Sequence, residues 1–142
     1  MLATTVIAAA VVVLAPAAPA GHRPGPCALH REDGETTRQL SKRHIRCAVE
    51  EFGPVPGGAA RAICIAHRES GLIPTARSRT GMYLGLFQHA AAGWDDRYEQ
   101  WTEPGWELPT SALRGRTNAI VAIRMVEDAG RWGPAGWPVK DC

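Results

Sequence analysis

The stretch at residues 63–88, I-C-I-A-H-R-E-S-G-L-I-P-T-A-R-S-R-T-G-M-Y-L-G-L-F-Q, constrains this chain more than any other. A run of small and apolar residues at 59–69 leads into it, with Ala60, Ile63, Cys64 and His67 at helical spacing. That spacing predicts a short central helix with those side chains turned inward. Ser70-Gly71 ends the run, because glycine readily leaves a helix through the left-handed conformation. Pro74, Gly81 and Gly85 interrupt the next segment, so residues 72–88 are expected to be mostly irregular, with a brief hairpin-like piece at 83–87. Glu69 therefore falls in the last helical turn, where the backbone presents partial negative charge and disfavours an anion. A half-buried wall around it would act in the same direction. A carboxyl held in its acid form near neutral pH is what general acid catalysis requires.

The remaining elements are read from periodicity. Leu40, His44, Ile45, Cys47, Ala48 and Phe52 line one face of a helix over residues 36–52, with Thr36 or Thr37 as its cap. The G-P-V-P-G-G segment at 53–58 cannot continue a helix and makes the turn. Residues 89–101 predict a third helix, broken near Gly93, and a loop carrying Trp106 comes after it. Residues 117–129 form the most apolar helix, through Ile120, Val121, Ile123, Met125 and Val126, and Gly130 ends it before a loop with Trp132 and Trp137. The pattern alone gives a predominantly helical domain.

The apolar run at residues 6–14 and the Ala18-Pro19-Ala20 site read as a secretory signal peptide over residues 1–20, although no Lys or Arg precedes the run. An uncleaved anchor or a misplaced start is the other reading. The Pro/Gly-rich segment at 21–35 is expected to be an extended arm, followed by one domain at 36–142. The four cysteines, Cys27, Cys47, Cys64 and Cys142, all come after the leader. An even count in a small exported chain points to disulfides. Pairing Cys47 with Cys64 across two antiparallel helices, and Cys27 with Cys142, is the preferred arrangement. No C-x-x-C or H-E-x-x-H occurs, and His67-x-Glu69 has no P-C-x-x-C downstream, so no metal or other cofactor is expected. A formal net charge of +2 with no basic stripe does not call for nucleic acid. It suits an anionic cell wall.

The string E-S-G-x-x-P-x-A-x-S-x-x-G, with G-L-F-Q shortly after, resembles the soluble lytic transglycosylase branch of the lysozyme-like superfamily. The matching residues are Glu69, Ser70, Gly71, Pro74, Ala76, Ser78, Gly81, Gly85, Leu86 and Gln88, with a weaker echo at Asn118. The spacing from Gly81 to Gly85 is one residue longer than is usual in the family, and its late A-Y-N-A-G motif is missing. The short chain also resembles resuscitation-promoting-factor-like wall enzymes, another branch with a single catalytic Glu. The resemblance implies an α+β, predominantly helical, two-lobed lysozyme-like domain with a central cleft. It also implies a secreted monomer acting on the glycan strands of peptidoglycan, without membrane insertion once the leader is removed.

Under that resemblance Glu69 is the catalytic residue, acid first and base second, at the MurNAc–GlcNAc β-1,4 bond. Ordinary glycosidases use two acids about 5–9.5 Å apart. Residues 70–94 contain no Asp or Glu, and Asp95, Asp96 and Glu99 read as a solvated helix face. One acid fits internal attack by the sugar's 6-hydroxyl, giving a 1,6-anhydro end, with the substrate's N-acetyl group helping as the family implies. Ser78, Tyr83, Gln88, Asn118 and Trp137 are the expected substrate contacts. Hydroxyl and amide groups can bond sugar hydroxyls, and aromatic faces can stack on pyranose rings. Ser78 and Gln88 could instead brace the loop, and Asn118 could cap a helix. A lysozyme-like hydrolase using water and a glycan-binding protein without activity are the competing functions.

Overall fold

The computed structural model describes residues 24–137 and Cys142. The expected leader at 1–20 lies outside the described residues. The first helix, α1 (Thr37–Phe52), starts on a capping box: Thr36 accepts from the Gln39 backbone N–H while the Gln39 side chain accepts from that of Thr36. After the turn at 53–57 comes α2 (Gly58–Ser70), which ends on Gly71 at φ 64°. Next is a two-stranded antiparallel sheet, β1 (Tyr83–Leu84) and β2 (His89–Ala90), with Tyr83 opposite Ala90 and Leu84 opposite His89. A 3₁₀ turn (Ala91–Gly93) leads into α3 (Trp94–Trp101), and α4 (Gly115–Ala129) completes the fold. The domain is thus α-rich, with four helices and one small sheet among the described residues. None of the described helices is long and apolar enough to cross a membrane.

The most apolar helix of the sequence is the axis of the core. Every residue of α4 from Thr117 to Ile123 is buried, and α1 and α3 pack directly on it. Burial around its whole circumference is what an apolar pattern on all faces demands. The α2 face differs from expectation. Ala62, Ile65 and Ala66 are buried, whereas Ala60 and His67 are exposed. Both faces carry apolar residues at i, i+3, i+4 spacing; the buried one has the smaller side chains, which let neighbouring elements approach closely.

The disulfides also differ from the expected pairing. Cys27 joins Cys47, and Cys64 joins Cys142. Cys64 lies off the buried face of α2, so it does not meet Cys47, and each helix is instead stapled to a chain-terminal segment. The arm at 24–35 is consequently docked. Cys27 is buried, and the Arg116 guanidinium donates to the carbonyls of Pro26 (2.7 Å) and Gly25. Two disulfides fit a chain that folds in an oxidising, extracellular setting.

Candidate active-site groove

The groove forms where the C-terminal end of α2 meets the sheet and the 130–137 loop. Ser70 ties the first two together. Its hydroxyl proton is shared between the carbonyls of Leu86 (2.8 Å) and Ala66 (3.0 Å), one on the turn between the strands and one on α2 itself. Gly85 completes the turn at φ 80°, and a side chain there would strike Asn118 and the Ala112 carbonyl. Glycine is therefore required twice over, for conformation and for space.

Glu69 opens into a cleft of about 300 Å³ lined also by Tyr83, Gln88, Gly136 and Trp137. This is the low end of the range for small-molecule sites. Partial burial raises the Glu69 pKa, and the neighbouring Arg68 guanidinium opposes the rise. By its accessible surface Glu69 is exposed, so solvent screens both influences and the rise is small. Asp95, Asp96 and Glu99, the nearest acids after it in the chain, are exposed on α3 and do not line the cleft.

The other expected contacts divide. Tyr83 stands 46 % exposed at the groove edge. Gln88, at φ 49°, donates through Nε2 to the carbonyls of Gly85 (2.9 Å) and Ala76 (3.4 Å), leaving Oε1 as an acceptor available to the groove. It braces the loop and lines the cleft together. Trp137 is nearly buried and shows the cleft only a small part of its ring, while its Nε1–H donates to the Phe87 carbonyl at 2.6 Å. Ser78 is a loop brace: its Oγ accepts from the Tyr83 N–H (3.1 Å), its own N–H donates to the Tyr83 carbonyl (3.0 Å), and it does not line the groove.

Asn118 is a correction. It is fully buried, accepting from Phe87 N–H (2.9 Å) and donating to the carbonyls of Ala112 (2.8 Å) and Leu84 (3.2 Å). Neither a ligand contact nor a helix cap, it fixes the turn between the strands from below. Behind Trp137 lies His89, whose ring meets it edge-on at 5.2 Å. His89 lies against the Asn118 carbonyl (3.3 Å) and Arg97 (3.3 Å), and burial, with Arg97, pushes its pKa down to about 3. The imidazole is therefore neutral and structural.

Sequence reasoning missed Gly136, whose place beside Trp137 in a glycine-rich loop was the available signal. It also missed Met82 as an exposed side chain next to the groove. Among the described residues no cluster of His, Cys, Asp or Glu could hold a metal ion. No protein-family model, no curated protein and no solved structure matches the chain.

Proposed function

We propose that this chain is a secreted lytic transglycosylase that cleaves peptidoglycan glycan strands with Glu69 as its one catalytic residue. The observation that carries the reading is a single carboxyl, its acid form favoured by partial burial, opening into a groove whose other described lining residues bring no second acid. The four helices and short sheet around that groove are compatible with the lysozyme-like arrangement that the motif implies. The two disulfides fit export to the wall.

In this reading the Glu69 carboxyl donates its proton to the glycosidic oxygen as the bond from C1 to that oxygen breaks. The substrate's N-acetyl carbonyl meets the positive charge left at C1. The Glu69 carboxylate then takes the proton of the 6-hydroxyl while that oxygen bonds to C1, which restores the acid and leaves a 1,6-anhydro end. Water is not consumed. A hydroxyl tethered to the same ring has a high effective concentration, so no second carboxylate is needed to position a nucleophile. Tyr83 offers a ring face for a sugar, with the buried Trp137 behind it as part of the groove wall, and Gln88 Oε1 offers an acceptor for an amide or hydroxyl proton.

The test is digestion of purified peptidoglycan with mass analysis of the fragments. Anhydro ends, one water lighter than hydrolysed ends, are expected, and Glu69→Gln should release none while still binding glycan. Fragments with only reducing ends would make the protein a hydrolase. Equal release by Glu69→Gln would remove Glu69 from the chemistry, and no release by the unaltered protein would reject the enzyme reading.

A further inference from the structure

A cavity of about 510 Å³, larger than the Glu69 cleft, lies between the docked arm and α1. Gln39, Lys42, Arg43 and Arg46 form its helix wall; spacings of three and four residues put them on one side of α1. The turn at residues 32–35 forms the other wall. There the Glu35 N–H donates to the Glu32 carbonyl at 3.0 Å, and Gly34 takes φ 75° at the tip. Arg43 binds this turn to the helix, reaching Glu32 at 2.9 Å and Glu35 at 3.1 Å, and the Cys27–Cys47 disulfide ties the arm to α1 a second time. The cavity is thus shaped before a ligand arrives, which lowers the ordering cost of binding.

Opposite charges line the two walls. Glu32, Asp33 and Glu35 on the turn balance Lys42, Arg43 and Arg46 on the helix, so the lining favours neither a simple anion nor a simple cation. Arg43 is engaged with Glu32 and Glu35, whereas the side chains of Asp33, Lys42 and Arg46 have no ion-pair or hydrogen-bond partner among the described residues. Lys42 is also half-buried, where a lone ammonium is less well hydrated than on open surface. Lys42 and Arg46 stand one helical turn apart, close enough to hold one carboxylate between them. We infer that this cavity is a binding site for a short zwitterionic peptide, with a carboxylate on Lys42 and Arg46 and an ammonium on Asp33. The site does not depend on the chemistry of Glu69. It lies near that residue's loop all the same, because Arg38, in the first turn of α1, donates to the Gly71 carbonyl at 3.0 Å. Free peptides and peptides attached to wall glycan are the two sources of such a ligand.

The test titrates the disulfide-bonded Glu69→Gln protein with di-, tri- and tetra-alanine and follows backbone amide shifts by NMR. Shifts should gather at residues 32–35 and 42–46. Acetylating the amine or amidating the carboxyl of the best-bound peptide should each weaken it by about threefold to fivefold, the size of an exposed ion pair. Lys42→Gln with Arg46→Gln should erase the amidation penalty and keep the acetylation penalty, and Asp33→Asn should do the reverse. None of these three side chains holds another part of the fold, and unchanged thermal unfolding of the variants checks this. A doubly blocked peptide that binds as well as the free one, penalties that persist in the variants, shifts elsewhere on the surface, or no binding at any length would each overturn the site and leave the Glu69 reading untouched. Displacement of the alanine peptide by glycan fragments that carry peptide, and not by the same fragments stripped of it, would support the site with the wall as its source. Binding of the alanine peptide without such displacement would support it with free peptide as the source.

Discussion

Asn118 offers the sharpest test of how the groove is held. Replacing it with alanine removes the acceptor of the Phe87 N–H and the donor to the Ala112 and Leu84 carbonyls, all around a side chain with no exposure. A buried N–H left without a partner costs roughly 1–3 kcal/mol. The two carbonyls cost less, since each keeps a second lone pair for other donors. The void left by the amide adds a further share. The sum is about 3–5 kcal/mol, or a fall of roughly 12–20 °C in Tm at ~4 °C per kcal/mol for a domain of this size. Urea and thermal unfolding with the disulfides intact measure it. Asn118→Asp keeps the shape but turns an oxygen toward two carbonyls, so the folded protein favours its acid form. Its folded pKa then lies above the unfolded value, and its stability relative to the parent is best at low pH and lost as pH rises through the folded pKa. A loss below ~1 kcal/mol for Asn118→Ala, combined with lost glycan binding, would refute the bracing role and return Asn118 to the ligand.

Other consequences are more direct. Glycan cleavage should fall as pH rises through the Glu69 pKa, which burial lifts above the usual carboxylate value, and a pH–rate profile should show that alkaline limb. His44 and His89 have pKa values lowered by burial to about 4 and about 3, so each takes up a proton on unfolding below its ordinary pKa. Stability should be full above pH ~6.5 and decline toward pH 4 by about 1.4 kcal/mol per pH unit for each imidazole, measured by denaturation at a series of pH values. Replacing both Cys64 and Cys142 with serine opens a link across 78 residues and should cost about 4–5 kcal/mol, against about 3 kcal/mol for the 20-residue link of Cys27 and Cys47, compared by urea midpoints.

What was legible in the chain was local. Thr36, one of two candidate caps, fixes the start of α1, Gly71 and Gly130 fix the ends of α2 and α4, and the apolar circumference of α4 marks it as the core. Glu69 at a helix end was readable for the same reason, since a glycine stop two residues later sets its place. The third helix was readable only in part. His89 and Ala90 are drawn away from it by pairing with Leu84 and Tyr83, and cross-strand partners cannot be seen in a segment read by itself. The cysteine pairing and the buried face of α2 failed for one shared reason, because apolar residues on both faces leave the rotation of a short helix undetermined until its neighbours are in place. Asn118 looked equally fit for ligand, cap or brace, because its environment comes from residues 84, 87 and 112 and not from its own helix.

The Cys64–Cys142 link joins the helix that carries Glu69 to the end of the segment that supplies Gly136 and Trp137. Oxidation of those thiols adds a direct cross-link between α2 and Cys142 to the backbone that already joins them. A chain whose thiols are still reduced lacks that tie between α2 and Cys142. In the proposed reading, a wall-cutting protein would in this way gain its last covalent tie only in an oxidising setting.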